Sequence, residues 1–277
     1  MAVIDRPLSL GPFDAGRALP LSNEAGWNQL EADWLMMLRL GLGFGFEADG
    51  RLVASAVALP YGPVGWISMV LVTAAARRQG LATRLVETAA AALERAGARP
   101  ALDATPAGEA VYRTMGFQPL RQLTRWQGTG WHAGDAAASV RPARPDDLHW
   151  ICAMDRSSFG LDRRGVLADL LARPGAPAFA REAKDGFLLA RAGRNATHLG
   201  PLTAASPAAA NALLHTALAQ IEGPVIVDAF DDQPALGATL RAAGFTPQRP
   251  FARMARGADP LPGNHSLTHA AAGPELG

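Results

Sequence analysis

Residues 72–82 read VTAAARRQGLA and connect two segments with different hydrophobic patterns. Before them, Trp66–Thr73 is a nearly unbroken apolar run, which is typical of a buried central strand. After them, apolar residues recur at three- and four-residue spacing over Leu81–Ala96, which predicts an amphipathic helix. A tight strand-to-helix turn leaves several backbone N–H groups unpaired at the positive end of the helix dipole. Because Gly80 and Ala82 leave this backbone accessible, the stretch predicts a binding site for a pyrophosphate.

Glycine and proline residues divide the rest of the first half into further elements. Strands at Gly43–Ala48 and Arg51–Leu59, joined by an Asp-Gly turn, predict a β-hairpin. Ala107–Met115 predicts a short helix that a glycine ends, and Phe117–Trp126 predicts a final strand. The first half therefore combines strands and helices.

The same order of elements returns in the second half, together with several short motifs. Gly116–Pro119 (GFQP) is matched by Gly244–Pro247 (GFTP), an offset of 244 − 116 = 128 residues. Leu102–Ala104 (LDA) likewise parallels Val227–Ala229 (VDA). Two arginine pairs keep the offset of 128: Arg121 with Arg249 and Arg125 with Arg253. Matched motifs, arginines and element order together indicate a duplicated domain.

Small residues between the two halves indicate a linker, which covers 128–130 and 134–139. We therefore expect a first domain at residues 1–130 and a second domain at residues 139–257. The segment 258–277 contains Pro, Gly, Asn and Ser without periodicity, and we expect it to be a disordered tail.

Composition and charge narrow the function classes. The 277 residues include 26 basic and 25 acidic side chains, and this net charge of +1 argues against a nucleic-acid partner. The single cysteine, Cys152, excludes an intramolecular disulfide and a thiolate zinc cluster, and the six histidines lack metal-ligand spacing, so we expect no metal. Met1–Leu10 shows no secretory signal, and the apolar stretch Trp34–Phe46 is too short and interrupted to span a membrane. We expect a cytoplasmic protein without membrane partners.

Two motifs in order resemble the GNAT N-acetyltransferase superfamily. Residues 77–82 (RRQGLA) are similar to its acyl-CoA loop, R/Q-x-x-G-x-G/A, and Val111–Phe117 (VYRTMGF) resembles its LYxxxGF signature. The resemblance covers both halves, as in tandem two-domain GNAT proteins of the YitH type. It implies an α/β fold of two tandem GNAT-like domains, each with a mixed, mostly antiparallel sheet flanked by helices. It also implies acetyl-CoA as the co-substrate.

The resemblance implies cofactor contacts at matching positions only. Backbone groups of Val70, Leu71 and Val72 would face the pantetheine arm and the thioester carbonyl. The loop whose main chain would hold the pyrophosphate consists of Arg77, Arg78, Gln79, Gly80, Leu81, Ala82 and Thr83. Thr105 stands where many relatives carry an asparagine that contacts coenzyme A.

The resemblance also implies a general acid, Tyr112, that protonates the departing thiolate. A phenol with a pKa of about 10 can donate to a thiolate whose conjugate acid has a pKa of about 8.5. Three alternatives remain open for the general base: Asp103, which we place first, Glu24, and an ordered water chain. Glu24 and Trp27 are also expected to shape the acceptor pocket.

The second half departs from this pattern. Gly200–Pro207 (GPLTAASP) stands where a second phosphate loop would lie, but two prolines remove N–H donors and the arginine and central glycine are missing. Leu240 takes the place that Tyr112 has in the first half. We expect the second half to hold no productive acyl-CoA, and to cover the acceptor or complete the active cleft.

These expectations predict transfer of an acetyl group from acetyl-CoA to a primary amine of a small molecule or a protein. The amine would attack directly, without a covalent enzyme intermediate. The alternative is a non-catalytic acyl-CoA-binding sensor module, which has no need of a general acid at Tyr112. A third possibility, in which both halves are active, requires two cofactors per chain.

Overall fold

The computed structural model describes residues 6–130 and 137–277, and the chain divides into two compact units. Unit 1 ends at Leu102 and unit 2 begins at Asp103. This division differs from the expected first domain 1–130, because the strand at 117–129 pairs with strands of unit 2 on both of its edges. Residues 134–136 of the expected linker lie outside the described residues.

Unit 1 is a twisted sheet with helices packed on it. Its strands are β1 (Leu8–Leu10), β2 (Leu42–Ala48), β3 (Arg51–Pro60), β4 (Val64–Val72) and β5 (Arg99–Ala104), the last of which crosses into unit 2. Its helices are α1 (Ala15–Glu24), α2 (Glu31–Leu40) and α3 (Leu81–Arg95). The strand order is β1-β2-β3-β4-β5, antiparallel except for the parallel pair β4–β5. The predicted hairpin and the predicted amphipathic helix are both confirmed.

The apolar stripe of α3 explains how unit 1 forms its core. The residues of the stripe are all at most 3% exposed: Leu81, Leu85, Val86, Ala89 and Leu93. A Cβ atom at Gly65 would lie 2.2 Å from Leu93 Cδ2, so this glycine lets α3 lie directly on β4. Burial of this stripe holds the start of α3 next to the end of β4.

The parallel pair β4–β5 is hydrogen-bonded only at its beginning. Val64–Trp66 pairs with Arg99–Ala101, and the register ends there. Further along β4, the register with β3 shifts between Ser68 and Leu71, where Met69 adopts a positive φ of 51°. This β-bulge lies in the second half of β4, beyond the paired residues.

Unit 2 contains the rest of the chain around a larger sheet. Its helices are α4 (Pro106–Thr114), α5 (Leu148–Phe159), α6 (Arg164–Ala172), α7 (Pro207–Gln220) and α8 (Pro234–Ala242). Its further strands are β6 (Phe117–Thr129), β7 (Val140–Pro142), β8 (Ala178–Arg181), β9 (Gly186–Arg191), β10 (Thr197–Ala204), β11 (Pro224–Phe230), β12 (Thr246–Arg256) and β13 (Thr268–Ala270). The strand order is β12-β6-β11-β13-β10-β9-β8-β7, mostly antiparallel.

The pairing of β6 with β12 supports the predicted duplication. These strands are the last strands of the two repeats, and they are antiparallel, with Leu123 opposite Phe251. Leu123 and Phe251 are themselves 251 − 123 = 128 residues apart, the offset of the repeat. Helices α4 and α8 begin at Pro106 and Pro234, again 128 apart. The two strands are therefore related by a local two-fold axis through this residue pair.

The expectation of a disordered tail at 258–277 is wrong. Strand β13 pairs with β10 and β11, and residues 268–273 and 275–277 are buried. A strand of three residues is too short to show alternation in the sequence, and Thr268, His269 and Ala270 gave no strong hydrophobic signal. The segment is an integral part of unit 2.

Candidate active site

The turn after β4 has the geometry that the sequence predicted. A short 3-10 turn at Ala74–Ala76 leads into an exposed segment, in which Arg78 has φ 62° and Gly80 has φ 73°. A Cβ atom at Gly80 would meet no atom within 4 Å, so the space outside this residue is open. Residues in the left-handed conformation can turn successive N–H groups toward one concave side, which suits an anion.

The N-terminus of α3 is uncapped, and this feature is central to the site. Gly80 occupies the N-cap position and no side chain accepts a hydrogen bond from the first turn. The first helical bond runs from Arg84 N to Gly80 O, so the amides of Leu81, Ala82 and Thr83 precede it and have no acceptor within the helix. These donors lie at the positive end of a 15-residue helix.

The corresponding helix of the second repeat, α7, has fewer open donors at its start. Ser206 caps it by accepting a hydrogen bond from Ala209 N at 3.2 Å. Pro207 at the first helical position has no N–H to offer. The two repeats therefore differ at the feature predicted to bind phosphate: the first leaves three amides without a helical acceptor, whereas the second caps Ala209 N and has no N–H at Pro207.

Glu24 binds the beginning of the turn that follows β4. At the end of α1, its Oε1 accepts a hydrogen bond from Ala74 N at 2.6 Å. The side chain is exposed, and its second oxygen makes no hydrogen bond within the described residues. Trp27, three residues on, is half-buried, and its backbone N–H donates to the Ser22 carbonyl at 2.9 Å. Both residues lie in unit 1, as the loop does.

The bulge in β4 contains Val70, one of the predicted cofactor contacts. Ser55 Oγ donates to the Met69 carbonyl at 2.9 Å and so satisfies the backbone at the bulge. Leu71 and Val72 pair with Ser55 and Ala54 of β3, whereas Val70 lies in the register shift. The bulge therefore interrupts the β3–β4 register at one of the positions predicted to face the thioester.

Tyr112 lies in α4 with its ring half-buried. The ring packs against Phe117, with 6.1 Å between the centroids and 56° between the planes. Its hydroxyl makes no hydrogen bond to any residue of the described chain. Burial raises the pKa of Tyr112 to about 12, so the phenol stays protonated at neutral pH. Such a hydroxyl is available as a proton donor.

Gly108 lies one helical turn before Tyr112 and leaves room for its ring. A Cβ atom at Gly108 would lie 3.0 Å from Tyr112 Cε2 and 3.6 Å from Cζ. Thr105 caps the same helix, because its Oγ1 accepts a hydrogen bond from Gly108 N at 3.3 Å. The structure therefore gives Thr105 a capping role and makes Gly108 a neighbour of the predicted acid.

Asp103, the first-placed candidate for the base, is committed to an ion pair. Its side chain is fully buried, and both its oxygens accept hydrogen bonds from Arg253, at 2.9 Å each. Burial raises the pKa of Asp103, and the Arg253 guanidinium opposes that rise. A fully buried carboxylate whose two oxygens are both engaged by a guanidinium is poorly placed to take a proton from an acceptor amine.

Asp228, the counterpart of Asp103 in the second repeat, makes the same kind of pair. Arg125 donates to its two oxygens at 2.7 Å each, and His198 Nε2 lies 2.9 Å from Oδ2. Burial alone would raise the pKa of Asp228, but Arg125 and His198 hold it well below its usual range. In each pair an arginine from the last strand of one repeat binds the aspartate of the other repeat. Both aspartates therefore stabilise the contact between the two repeats.

Sequence reasoning missed three features. The signal for the Asp103–Arg253 pair was present, because the LDA and VDA motifs and the arginines repeat together, but their pairing across repeats is a property of the fold. Ser55 at the bulge had no comparable signal, whereas Ser206 directly before Pro207 is the sequence pattern of a capped helix start. Within residues 6–130 and 137–277, no three His, Cys, Asp or Glu side chains cluster in a way that suits a metal ion. None of the described helices combines the length and hydropathy that crossing a membrane requires.

Comparison with known proteins finds the same family in both halves of the chain. A family profile described as "Acetyltransferase (GNAT) family" matches residues 17–117, and another described as "Acetyltransferase (GNAT) domain" matches residues 151–270. A Bacillus subtilis protein named "Uncharacterized N-acetyltransferase YitH" is 24% identical over 253 residues, covering 88% of this chain and 89% of its own length.

Solved structures share the fold over nearly the whole chain. A Pyrococcus horikoshii protein assigned as an acetyltransferase has a TM-score of 0.85 at 18% identity, covering 99% of this chain and 97% of that protein. A tandem GNAT protein from the clavulanic acid biosynthesis pathway has a TM-score of 0.64 at 14% identity, covering 93% and 100%. With a GNAT match in each half, the chain belongs to the GNAT acetyltransferase family and is a tandem N-acetyltransferase.

Proposed function

We propose that this enzyme transfers an acetyl group from acetyl-CoA to a primary amine of a small molecule or a protein, by direct attack of the amine. The amides of residues 78–83 bind the pyrophosphate of the co-substrate. The backbone of Val70–Val72 lies along its pantetheine arm. Tyr112 donates the proton that the departing thiolate takes up. The co-substrate supplies an activated thioester, and the chain supplies binding, orientation and proton transfer.

The observation that carries this proposal is the uncapped N-terminus of α3. Three amides without a helical acceptor, an exposed backbone at Gly80 and open space outside it fit a diphosphate. The capped start of α7 supports the same interpretation by contrast, because a site that binds no phosphate has no reason to leave its donors open.

Replacing Gly80 by alanine tests this site, and Gly97 provides a matched control. Both glycines have a positive φ, 73° and 76°, both have open space at the Cβ position, and they lie at opposite ends of α3. Each change to alanine is expected to cost about 1 kcal/mol of stability, because a left-handed conformation strains any residue with a Cβ. We expect only G80A to raise the Kd for coenzyme A, by at least about tenfold, measured by calorimetry. Equal affinities in the two variants would place the phosphate elsewhere.

For the general base, we propose Glu24 in place of Asp103. Glu24 is exposed and keeps one carboxylate oxygen open, whereas both oxygens of Asp103 bind Arg253. A glutamine at 24 can still accept the hydrogen bond from Ala74 N but is no longer basic, and an alanine can do neither.

These two substitutions separate a base from a loop anchor. We expect E24Q to retain the coenzyme A affinity of the parent enzyme while kcat falls about tenfold, since water can replace part of a base. We expect E24A to lose affinity as well, because the start of the loop is released. If E24Q keeps the parent kcat, Glu24 is an anchor only, and the base is the water chain or Asp103.

Gly108 is proposed as a positioning residue for Tyr112. The change to alanine adds a methyl group 3.0 Å from the tyrosine ring, so the ring must shift by several tenths of an ångström. Alanine is up to about 1 kcal/mol more favourable than glycine in a helix, so stability is expected to stay or rise. We expect G108A to lower kcat several-fold without changing the Kd for coenzyme A.

The control for Gly108 lies in the matching helix of the second repeat. Gly237 in α8 would place a Cβ atom no closer than 3.8 Å to its neighbours, which is ordinary contact. We expect G237A to gain helix stability and to leave kcat unchanged. A loss of kcat in G237A equal to that in G108A would show that the effect is not transmitted through Tyr112.

A further inference from the structure

In unit 2, a short strand lies inside an opening between two parallel strands. Strands β10 and β11 pair with each other only over Thr197–Leu199 and Val225–Val227. Beyond these residues β13 lies between them, with Ala270 opposite Leu202 on one side and opposite Ala229 on the other. Part of the segment that was expected to be a disordered tail therefore forms a strand between β10 and β11.

The first repeat has an opening at the same place in its sheet. Its parallel pair β4–β5 is closed only over Val64–Trp66 and Arg99–Ala101, and the strand order places no described strand between the two. Each repeat also carries a register shift in its first parallel strand, between Ser68 and Leu71 and between Leu199 and Leu202. The repeats thus share an opening that only the second fills with its own chain.

The residues around β13 hold it by specific polar contacts. Arg121 donates to Thr268 Oγ1 at 2.9 Å and to the carbonyls of His265 and Thr268 at 3.2 and 3.1 Å. His269 Nε2 lies 3.2 Å from the Ala204 carbonyl, and Ala271 N donates to Asp228 O at 2.9 Å. These bonds fix both the backbone and the side chains of the strand.

The residues after β13 are anchored more deeply. Glu275 forms an ion pair with Arg191 in which both side chains are 5% exposed. Arg163, itself bound to Asp155 at 2.8 and 2.9 Å, donates to the Leu276 carbonyl at 3.4 Å. The segment is therefore held by a buried ion pair and by main-chain contacts on both sides. These are the kinds of contact by which a protein binds an extended peptide.

A cavity of about 570 Å³ lies between the starts of α7 and α8. Ser206, Pro207 and Pro234 line it, and His265 and Ser266 of the segment form another part of its wall. The segment enters the sheet beside this cavity.

We propose that the opening in the second repeat is a site for an extended peptide, and that its occupant is residues 265–277 of the same chain. The strand adds to both edges of the opening through main-chain bonds, and Arg121, Arg191 and Arg163 recognise the flanking residues. The second opening is consequently not a second cofactor site. This inference concerns unit 2 alone and stands apart from the acetyl transfer proposed above.

Cleavage of the folded chain tests whether the segment is bound as a ligand. Residues 257–260 are exposed, and a protease recognition sequence inserted after Ala258 can be cut without unfolding the protein. We expect the released fragment to co-elute with the body in gel filtration in native buffer, and to dissociate at a denaturant concentration below the one that unfolds the body. A fragment that separates from the body in native buffer, or that dissociates only when unit 2 itself unfolds, would overturn the proposal.

A point variant addresses the same question without cutting the chain. We expect E275Q to speed hydrogen exchange of the β13 amides at least about tenfold, because Arg191 loses its buried acid. The control D259N, an exposed acid in the same segment, is expected to leave the exchange unchanged. No difference between the two variants would contradict the anchoring role of Glu275.

The number of bound coenzyme A molecules distinguishes a peptide site from a gated cofactor site. After the cleaved fragment is removed in mild denaturant and the body is refolded, calorimetry with coenzyme A is expected to give the same stoichiometry as the intact chain. An increase by one per chain would show that the segment covers a functional cofactor site, and would overturn the proposal. Failure of unit 1 to bind coenzyme A would leave the cleavage result unaffected.

Discussion

The variant Y112F is expected to lower kcat about 100-fold, while the Kd for coenzyme A stays within about threefold of the parent value. The change removes only the hydroxyl. The ring keeps its packing against Phe117 and its place beside Gly108, so α4 and its surroundings are retained. Because the hydroxyl makes no hydrogen bond within the described residues, its loss is expected to cost little stability.

The expected loss follows from proton transfer to the departing thiolate. Burial raises the pKa of Tyr112 to about 12, so the proton is present through the neutral and moderately alkaline range. If kcat declines in that pH range, the titration of a group other than Tyr112 must cause the decline. Thiol release from acetyl-CoA measures kcat, and calorimetry with coenzyme A measures affinity. The other tyrosine, Tyr61, provides the control, because Y61F is expected to retain kcat. Equal kcat in Y112F and the parent enzyme would remove Tyr112 from the mechanism.

The variant R253Q is expected to destabilise unit 2 by about 3–5 kcal/mol, the usual cost of removing one partner from a buried ion pair. It leaves the fully buried carboxylate of Asp103 without the guanidinium that binds both its oxygens. Denaturant unfolding measures the loss. We expect the double variant D103N/R253Q to recover much of it, because two neutral amides leave no unpaired buried charge.

The same double variant decides the role of Asp103. If Asp103 only stabilises the contact between the repeats, the refolded double variant is expected to keep kcat within about threefold of the parent enzyme. A stable double variant with a 100-fold loss of kcat would instead identify Asp103 as the base, contrary to the role proposed here. R125Q, which breaks the equivalent pair with Asp228, is expected to destabilise unit 2 without any direct effect on proton transfer.

The sequence allowed the loop, the helices and the duplication to be predicted, because each has a local signal. The turn at 72–82 lies between an apolar run and a helix of 3.6-residue periodicity, and both segments form as predicted. The offset of 128 residues reappears in the start of α4 and α8 and in the register of β6 with β12. Local patterns of this kind can be recognised in the sequence without knowledge of the fold.

The features that could not be predicted depend on contacts between distant parts of the chain. Asp103 and Arg253 are 150 residues apart, so the residues near Asp103 in the sequence do not indicate that its carboxylate forms an ion pair. The strand 117–129 pairs on both edges with later strands, which places it in unit 2 and not in the expected first domain. The segment 268–277 has no periodicity, yet its pairing with β10 and β11 and a buried partner for Glu275 order it.

Hydrogen exchange of the backbone amides at residues 78–83, with and without saturating coenzyme A, tests the proposed phosphate site at the donors themselves. We predict that these amides exchange at least about tenfold more slowly in the complex, while the amides of Ala205, Ser206, Ala208 and Ala209 at the capped start of α7 do not change. Unchanged exchange at 78–83 with the cofactor bound, or protection at the start of α7 in its place, would contradict the account.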